Sequence, residues 1–305
     1  MTPGASQGRD TRFLDPALLA RLGSMELKAR TVVEGFIAGL HRSPYHGFSV
    51  EFAEYRQYLP GDDLSTLDWK VFARSDRHYV KKFEEETNLE GHLLVDVSAS
   101  MTYRGGGGAM SKLDYAGVLA GSLAYLMNRQ RDAVGLIAFD DAIRLRIGGG
   151  ARRGDLHRIL IALEQLEGGH RSHLARPLQQ VAQAITKRGL VIVLSDLLDD
   201  RESVVRGLTQ LRFRGTDVIV FQILDPHELR FPFERAARFR DPETGEEVTA
   251  DPARVRASYL DALDGLRGYY ARELRGAGID FLTLDTSQPL DAALVAYLDA
   301  RSRRH

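Results

Sequence analysis

A chain of 305 residues is long enough to bury one large α/β core and carry an appended subdomain. It contains no cysteine, which excludes disulfides, thiolate catalysis and cysteine-ligated zinc. Its 41 lysines and arginines against 42 acids leave a net charge of -1, which argues against nucleic-acid binding driven by bulk charge.

The N-terminal stretch mixes Arg9, Asp10, Arg12, Asp15, Arg21 and Lys28 among apolar residues, unlike a secretory signal. No apolar run approaches the roughly twenty residues that span a bilayer, so the expectation is a cytoplasmic protein without direct membrane insertion. A helical region is predicted from about Pro16 to Leu40, then a turn containing Gly, Pro and His. Short extended pieces follow at Phe48–Phe52 and Tyr79–Phe83, the second running into Glu84-Glu85-Glu86. Residues 1–90 read as an N-terminal subdomain.

From residue 91 to 305 the pattern changes to short β-branched runs alternating with amphipathic helices. The runs are Leu93–Val97, Ala133–Phe139, Leu190–Ser195, Val218–Ile223 and Ile279–Leu284. Helical spacing recurs between them, as in Leu113, Ala116, Ala120, Leu123 and Met127, or Leu174, Leu178, Val181 and Ile185. Strands without polar alternation, separated by helices, predict a mainly parallel sheet covered on both faces, an α/β doubly wound domain. Ile143–Ile147 alternates apolar and charged residues and is expected to form an edge hairpin with the strand before it. Asp199 or Asp200 is placed to cap the helix after Leu190–Ser195. A hairpin is expected near 229–250, around the turn sequence Asp241-Pro242-Glu243-Thr244-Gly245.

In open α/β sheets ligands gather beyond the carboxyl ends of the strands. Asp96-Val97-Ser98-Ala99-Ser100 lies there, one carboxylate and two hydroxyls at alternate positions after an apolar strand. The run Val193-Leu194-Ser195-Asp196 brings a second carboxylate to the same rim. The loop Gly168-Gly169-His170-Arg171-Ser172-His173-Leu174 supplies a further hydroxyl. Crowded hard oxygens suit Mg²⁺, with Mn²⁺ or Ca²⁺ as alternatives. His170 and His173 are read as loop-surface residues rather than zinc ligands, since oxygen donors dominate the set.

These residues resemble a von Willebrand factor A-type domain with a metal-ion-dependent adhesion site. Asp96, Ser98 and Ser100 match its Asp-x-Ser-x-Ser, Ser172 falls where a loop threonine is expected, and Asp196 matches the later aspartate. Upstream, Glu51-Phe52, Arg56, Tyr58, Gly61-Asp62-Asp63, Leu67-Asp68-Trp69, Ala73-Arg74 and Val80-Lys81-Lys82-Phe83 resemble the family called domain of unknown function fifty-eight. Ser65 stands where an arginine is common in that family. The resemblance covers about residues 35–290 and implies a partner, a MoxR-type AAA+ ATPase, acting with this chain on an unidentified client protein.

Asp62, Asp63, Asp68 and Trp69 have two readings, an active site or a structural turn anchored by the single tryptophan. The glycine clusters 105–108 and 148–150 lack the Gly-x-x-x-x-Gly-Lys-Ser/Thr and Gly-x-Gly-x-x-Gly patterns, so neither predicts nucleotide binding. The expected function is a non-enzymatic, metal-dependent adaptor that captures a partner carboxylate. Its competitor is a metal-assisted phosphoester hydrolase with Asp96 or Asp196 as base. A third reading is a scaffold whose site is purely structural.

Overall fold

The computed structural model describes residues 15–41, 55–57, 79–81, 89–105, 110–169, 173–185, 189–213 and 215–302. The chain divides into two units, Met1–Arg42 with Leu89–His305, and Ser43–Asn88.

The expected N-terminal helical region is two helices, α1 (Pro16–Leu19) and α2 (Met25–His41). Asp15 caps the first through the Ala17 N–H, and the Ser24 hydroxyl accepts from Leu27 N–H at the start of the second. Along α2 the buried residues Ala29, Val32, Val33 and Phe36 fall at helical spacing. They cover part of α3 (Lys112–Arg129), which belongs to the α/β unit. The large unit thus resumes at Leu89, close to the expected boundary, but it also takes in the residues up to Arg42, which were expected in the N-terminal subdomain. The physical reason is this apolar stripe, which joins α2 to the large core. In the other unit the described residues form an antiparallel ladder of β1 (Tyr55–Gln57) with β2 (Tyr79–Lys81), where Tyr55 pairs with Lys81. Phe48–Phe52 and the Asp62 to Trp69 segment lie outside the described residues.

The large unit continues through β3 (Glu90–Asp96), β4 (Ala133–Phe139), β5 (Ile143–Gly150), α4 (Arg153–Glu164), α5 (Ala175–Ala184) and β6 (Leu190–Ser195). Then come α6 (Arg201–Phe213), β7 (Asp217–Leu224), the short α7 (Pro226–Arg230), β8 (Ala237–Arg240) and β9 (Glu247–Ala250). The long α8 (Pro252–Gly276), β10 (Asp280–Asp285) and α9 (Asp291–Ser302) complete it. Six strands form one sheet in the order β10-β7-β6-β3-β4-β5. All neighbours are parallel except β4 and β5, whose antiparallel pairing is the expected edge hairpin. The hairpin expected near 229–250 is β8 with β9, its turn closed by Gly245 at φ 74 and by the Asp241 carboxylate on Glu243 N–H.

Leu94, Ile137, Val191, Val193 and Val220 pack on one face of the sheet with residues of α5, α6 and α8. The alternate residues, among them Leu93, Val95 and Ile192, are equally buried on the other face, where α3 crosses the sheet. This is the doubly wound, mainly parallel architecture implied by the von Willebrand factor A-like resemblance.

Three glycines, 148–150, lie in the edge strand β5. Between Val134↔Gly150 and Leu136↔Ile147 the register shifts, so Gly135 alone faces two residues of β5. A Cβ on Gly135 would meet the Ile147 carbonyl oxygen at 2.9 Å and Gly149 N at 3.2 Å, both backbone atoms of the same ladder. Gly135→Ala is expected to cost about 1–3 kcal/mol in urea unfolding, the usual range for overpacking. Gly154→Ala, in the first turn of α4 with nothing within 4 Å of the new methyl, is the control and should be stabilising by up to about 1 kcal/mol.

Candidate functional site

The crossover from β3 leads to β4 on one side, and that from β6 leads to β7 on the other. The crevice beyond the carboxyl ends of β3 and β6 is thus the topological switch point, where open α/β sheets bind ligands. Asp96 ends β3 and Asp196 follows the last residue of β6, with Val95 opposite Leu194 in register.

After Asp96 the chain turns at once. The Asp96 Oδ1 accepts from Ser98 N–H at 2.9 Å, and Ala99–Thr102 forms a single 3-10 turn anchored by fully buried Met101. This turn brings Ser98 Oγ to 3.1 Å from Ser100 Oγ. Adjacent ligands in a Mg²⁺ octahedron of 2.0–2.1 Å bonds stand about 2.9 Å apart, so the hydroxyl pair has the spacing of one octahedral edge. The other Asp96 oxygen, Oδ2, accepts from the Ser195 hydroxyl at 2.5 Å, which couples β3 directly to β6.

The loop after β6 is held with equal care. Leu197 adopts φ 57, an unusual conformation for a branched residue. Its N–H donates to Ser195 Oγ at 3.0 Å, its carbonyl accepts from the Tyr270 hydroxyl at 3.0 Å, and its side chain is fully buried. Gln222 donates to the Asp196 carbonyl oxygen at 3.1 Å, and Asp196 Oδ1 accepts from Leu198 N–H at 3.1 Å. Asp196 Oδ2 is 2.8 Å from the ammonium of Lys112, which also lies 2.6 Å from Glu228 Oε1. Glu228 Oε2 in turn accepts from Asp225 N–H at 2.8 Å. Asp225 accepts from Gly105 N–H at 2.9 Å, fastening the far end of the segment that begins at Ser98.

Burial decides the electrostatics. Asp96 and Ser98 are fully enclosed, Asp196 is 2% exposed, and Ser100, at 8%, is the most open of the four. Desolvation, with the nearby Asp196 charge adding to it, pushes the Asp96 carboxyl up to about 7 despite its hydrogen bonds. Burial alone would lower the Lys112 ammonium, but the Asp196 and Glu228 carboxylates outweigh it and the net shift is upward. Glu228 is also shifted upward, because its burial outweighs the stabilisation from Lys112.

Four of the five expected ligands, Asp96, Ser98, Ser100 and Asp196, thus meet at one rim. Ser172 lies outside the described residues, as does His170, but both flanks of its loop are tied to this rim. Gly169 N–H donates to the Val97 carbonyl at 3.3 Å, and Leu174 N–H donates to Asp199 Oδ2 at 2.8 Å. Asp199 is therefore a loop tie, while Asp200 caps α6 through Ser203 N–H. His173 is a surface residue, 60% exposed. Among the described residues no cluster of three or more His, Cys, Asp or Glu side chains is arranged to hold a metal. The donor set here is of another kind, two carboxylates with hydroxyls, and that hard-oxygen chemistry fits a Mg²⁺-type ion.

Sequence reasoning missed Lys112 and Glu228. One signal was available: Lys112 is the first residue of α3, where its positive charge opposes the helix dipole. The Asp225-Pro226-His227-Glu228 capping box was also legible.

The family described as "Protein of unknown function DUF58" matches residues 54–265. The chain is 29% identical over 294 residues to "Uncharacterized protein Rv1480" of Mycobacterium tuberculosis (strain ATCC 25618 / H37Rv), spanning 95% of this chain and 91% of that one. The same values hold for "Uncharacterized protein Mb1516" of Mycobacterium bovis. Similar solved structures include the conserved hypothetical protein BatB from Bacteroides thetaiotaomicron, at 16% identity and TM-score 0.48 over 70% of this chain and 98% of that one. The SpRpn10 VWA domain is similar at 13% identity and TM-score 0.37, over 68% and 93%.

A buried carboxyl raised to about 7 makes the stability of the metal-free protein depend on pH between mildly acidic and neutral conditions. Between about pH 4 and pH 7 the folded chain keeps a proton that the unfolded chain has released, so stability falls as pH rises and levels off above that window. The expected fall is up to about 4 kcal/mol. Urea unfolding of the wild type and Asp96→Asn across this range checks it, the slope difference between the two belonging to Asp96.

Proposed function

The chain belongs to the DUF58 family, and on that premise we propose that it is a non-enzymatic, divalent-cation-dependent adaptor. In this reading Asp96, Ser98 and Ser100 hold the ion, with Ser172 and Asp196 completing the set directly or through water. Mg²⁺ is the expected occupant, and Mn²⁺ or Ca²⁺ the alternatives. When bound, the ion supplies the positive charge that a carboxylate of a partner protein would meet. The observation that supports this most strongly is Asp96 itself, a fully buried carboxylate beside a second one, with two hydroxyls at octahedral-edge spacing.

The partner we propose is a MoxR-type AAA+ ATPase, the pair acting on a client protein in the cytoplasm. The family resemblance supports this.

The competing hydrolase reading needs a group that protonates a leaving oxygen. Among the described residues Lys112 brings an ammonium to this rim, yet it is fully buried and two carboxylates hold its proton more firmly than in free lysine. General acids near neutral pH need the opposite shift. This favours the adaptor.

A pull-down with a MoxR-type AAA+ ATPase from the same organism tests the reading. Retention in Mg²⁺ should be lost with chelator and in Asp96→Ala. Binding indifferent to both would remove the ion from the mechanism. Calorimetry adds a second check. Mg²⁺ titrated in at about pH 6 should release close to one proton from Asp96, and almost none at about pH 9.

A further inference from the structure

The side chain of Lys112 enters the rim as a cation that the protein supplies itself. It is fully buried, makes its two ion pairs at 2.8 and 2.6 Å, and comes from a helix position where a positive charge is unfavourable. Its backbone N–H donates to the Tyr103 carbonyl at 3.1 Å, so the lysine is fixed to the same segment that carries Ser98 and Ser100. Helix stability does not account for it, nor does the core.

We propose that Lys112, steadied by Glu228, is a positioning residue that keeps the Asp196 carboxylate from closing on an ion held by Asp96, Ser98 and Ser100. The inference rests on the divalent-cation reading given above. Asp196 Oδ2 is engaged by the ammonium, Oδ1 by Leu198 N–H, and the main chain on either side by Gln222, Ser195 and Tyr270. A carboxylate so tethered cannot swing toward a second cation without surrendering the first. Repulsion between the ammonium and the incoming ion acts in the same direction. The consequence is an ion with fewer protein anions around it, hence a weaker hold and a coordination position left for an outside carboxylate. Glu228 takes part because it occupies the other side of the ammonium and prevents Lys112 from neutralising Asp196 completely.

Mn²⁺ serves as the probe, with electron paramagnetic resonance for affinity and water-proton relaxation for the number of bound waters. The decisive variant is K112M/E228Q, which removes one positive and one negative charge together and leaves the net charge of the cluster unchanged. It should bind Mn²⁺ about tenfold more tightly or better and carry one water fewer, because Asp196 now enters the shell. The same affinity and hydration as wild type in a folded double variant would overturn the inference while leaving the cation site standing. No Mn²⁺ binding by the wild type would overturn the cation site itself. If the Lys112 variants do not fold, E228Q decides. Lys112 then holds Asp196 alone, and Mn²⁺ should bind several-fold more weakly with unchanged hydration, whereas tighter binding refutes the role.

Discussion

Two carboxylates taken out of water at the ends of adjacent strands impose the constraint to which the rest of the rim answers. Removing an ionised carboxylate from solvent costs several kcal/mol unless donors replace the lost hydration. Here the donors come from many places in the chain. Asp96 receives the Ser98 N–H and the Ser195 hydroxyl. Asp196 receives the Leu198 N–H and the Lys112 ammonium. Each donor is then held by something else: Lys112 by Glu228, Glu228 by Asp225 N–H, and Asp225 by Gly105 N–H. A chain of contacts thereby closes from the Asp-x-Ser-x-Ser turn through α3, the β6 loop and α7 and back to the same turn.

The sheet makes this closure possible. Parallel strands deliver their carboxyl ends to one edge, and the reversal between β3 and β6 leaves a gap there that no crossover helix fills. Local strain is accepted to aim the side chains. Leu197 in the left-handed region costs on the order of 1 kcal/mol or more, and it persists because Ser195 Oγ, Tyr270 and a fully buried side chain over-determine it.

How much of this was legible in sequence depends on how local each interaction is. The apolar runs from Leu93 to Leu284 announced the parallel sheet, because strands buried on both faces must lack alternation. Ile143–Ile147 announced the edge because its alternation shows one exposed face. Asp96, Ser98, Ser100 and Asp196 were legible as strand-end polar residues. Lys112 and Glu228 were not, since 116 residues separate them and neither the helix start nor the capping box says what the far side of the side chain touches. The place of α2 was missed for a similar reason: its apolar stripe is visible, but not the surface that receives it. Of the two aspartates that could cap α6, Asp200 does so, and Asp199 is a loop tie, a long-range contact that helix-capping rules do not foresee.

The energetics of the rim separate what the fold needs from what a ligand needs. An asparagine at position 96 could still accept from Ser98 N–H and engage Ser195, with no charge to desolvate. A carboxyl whose ionisation is opposed up to about pH 7 is therefore a poor choice for holding β3 to β6. The same holds for Lys112 with its two acids, since a buried ionic cluster is often less stable than apolar residues of equal volume. Charge that the fold would be better without is kept where three loops meet at the sheet's switch point. The proposed cation would give that charge a use, met where Asp96 and the serine pair face it and kept from full neutralisation by the ammonium already bound to Asp196.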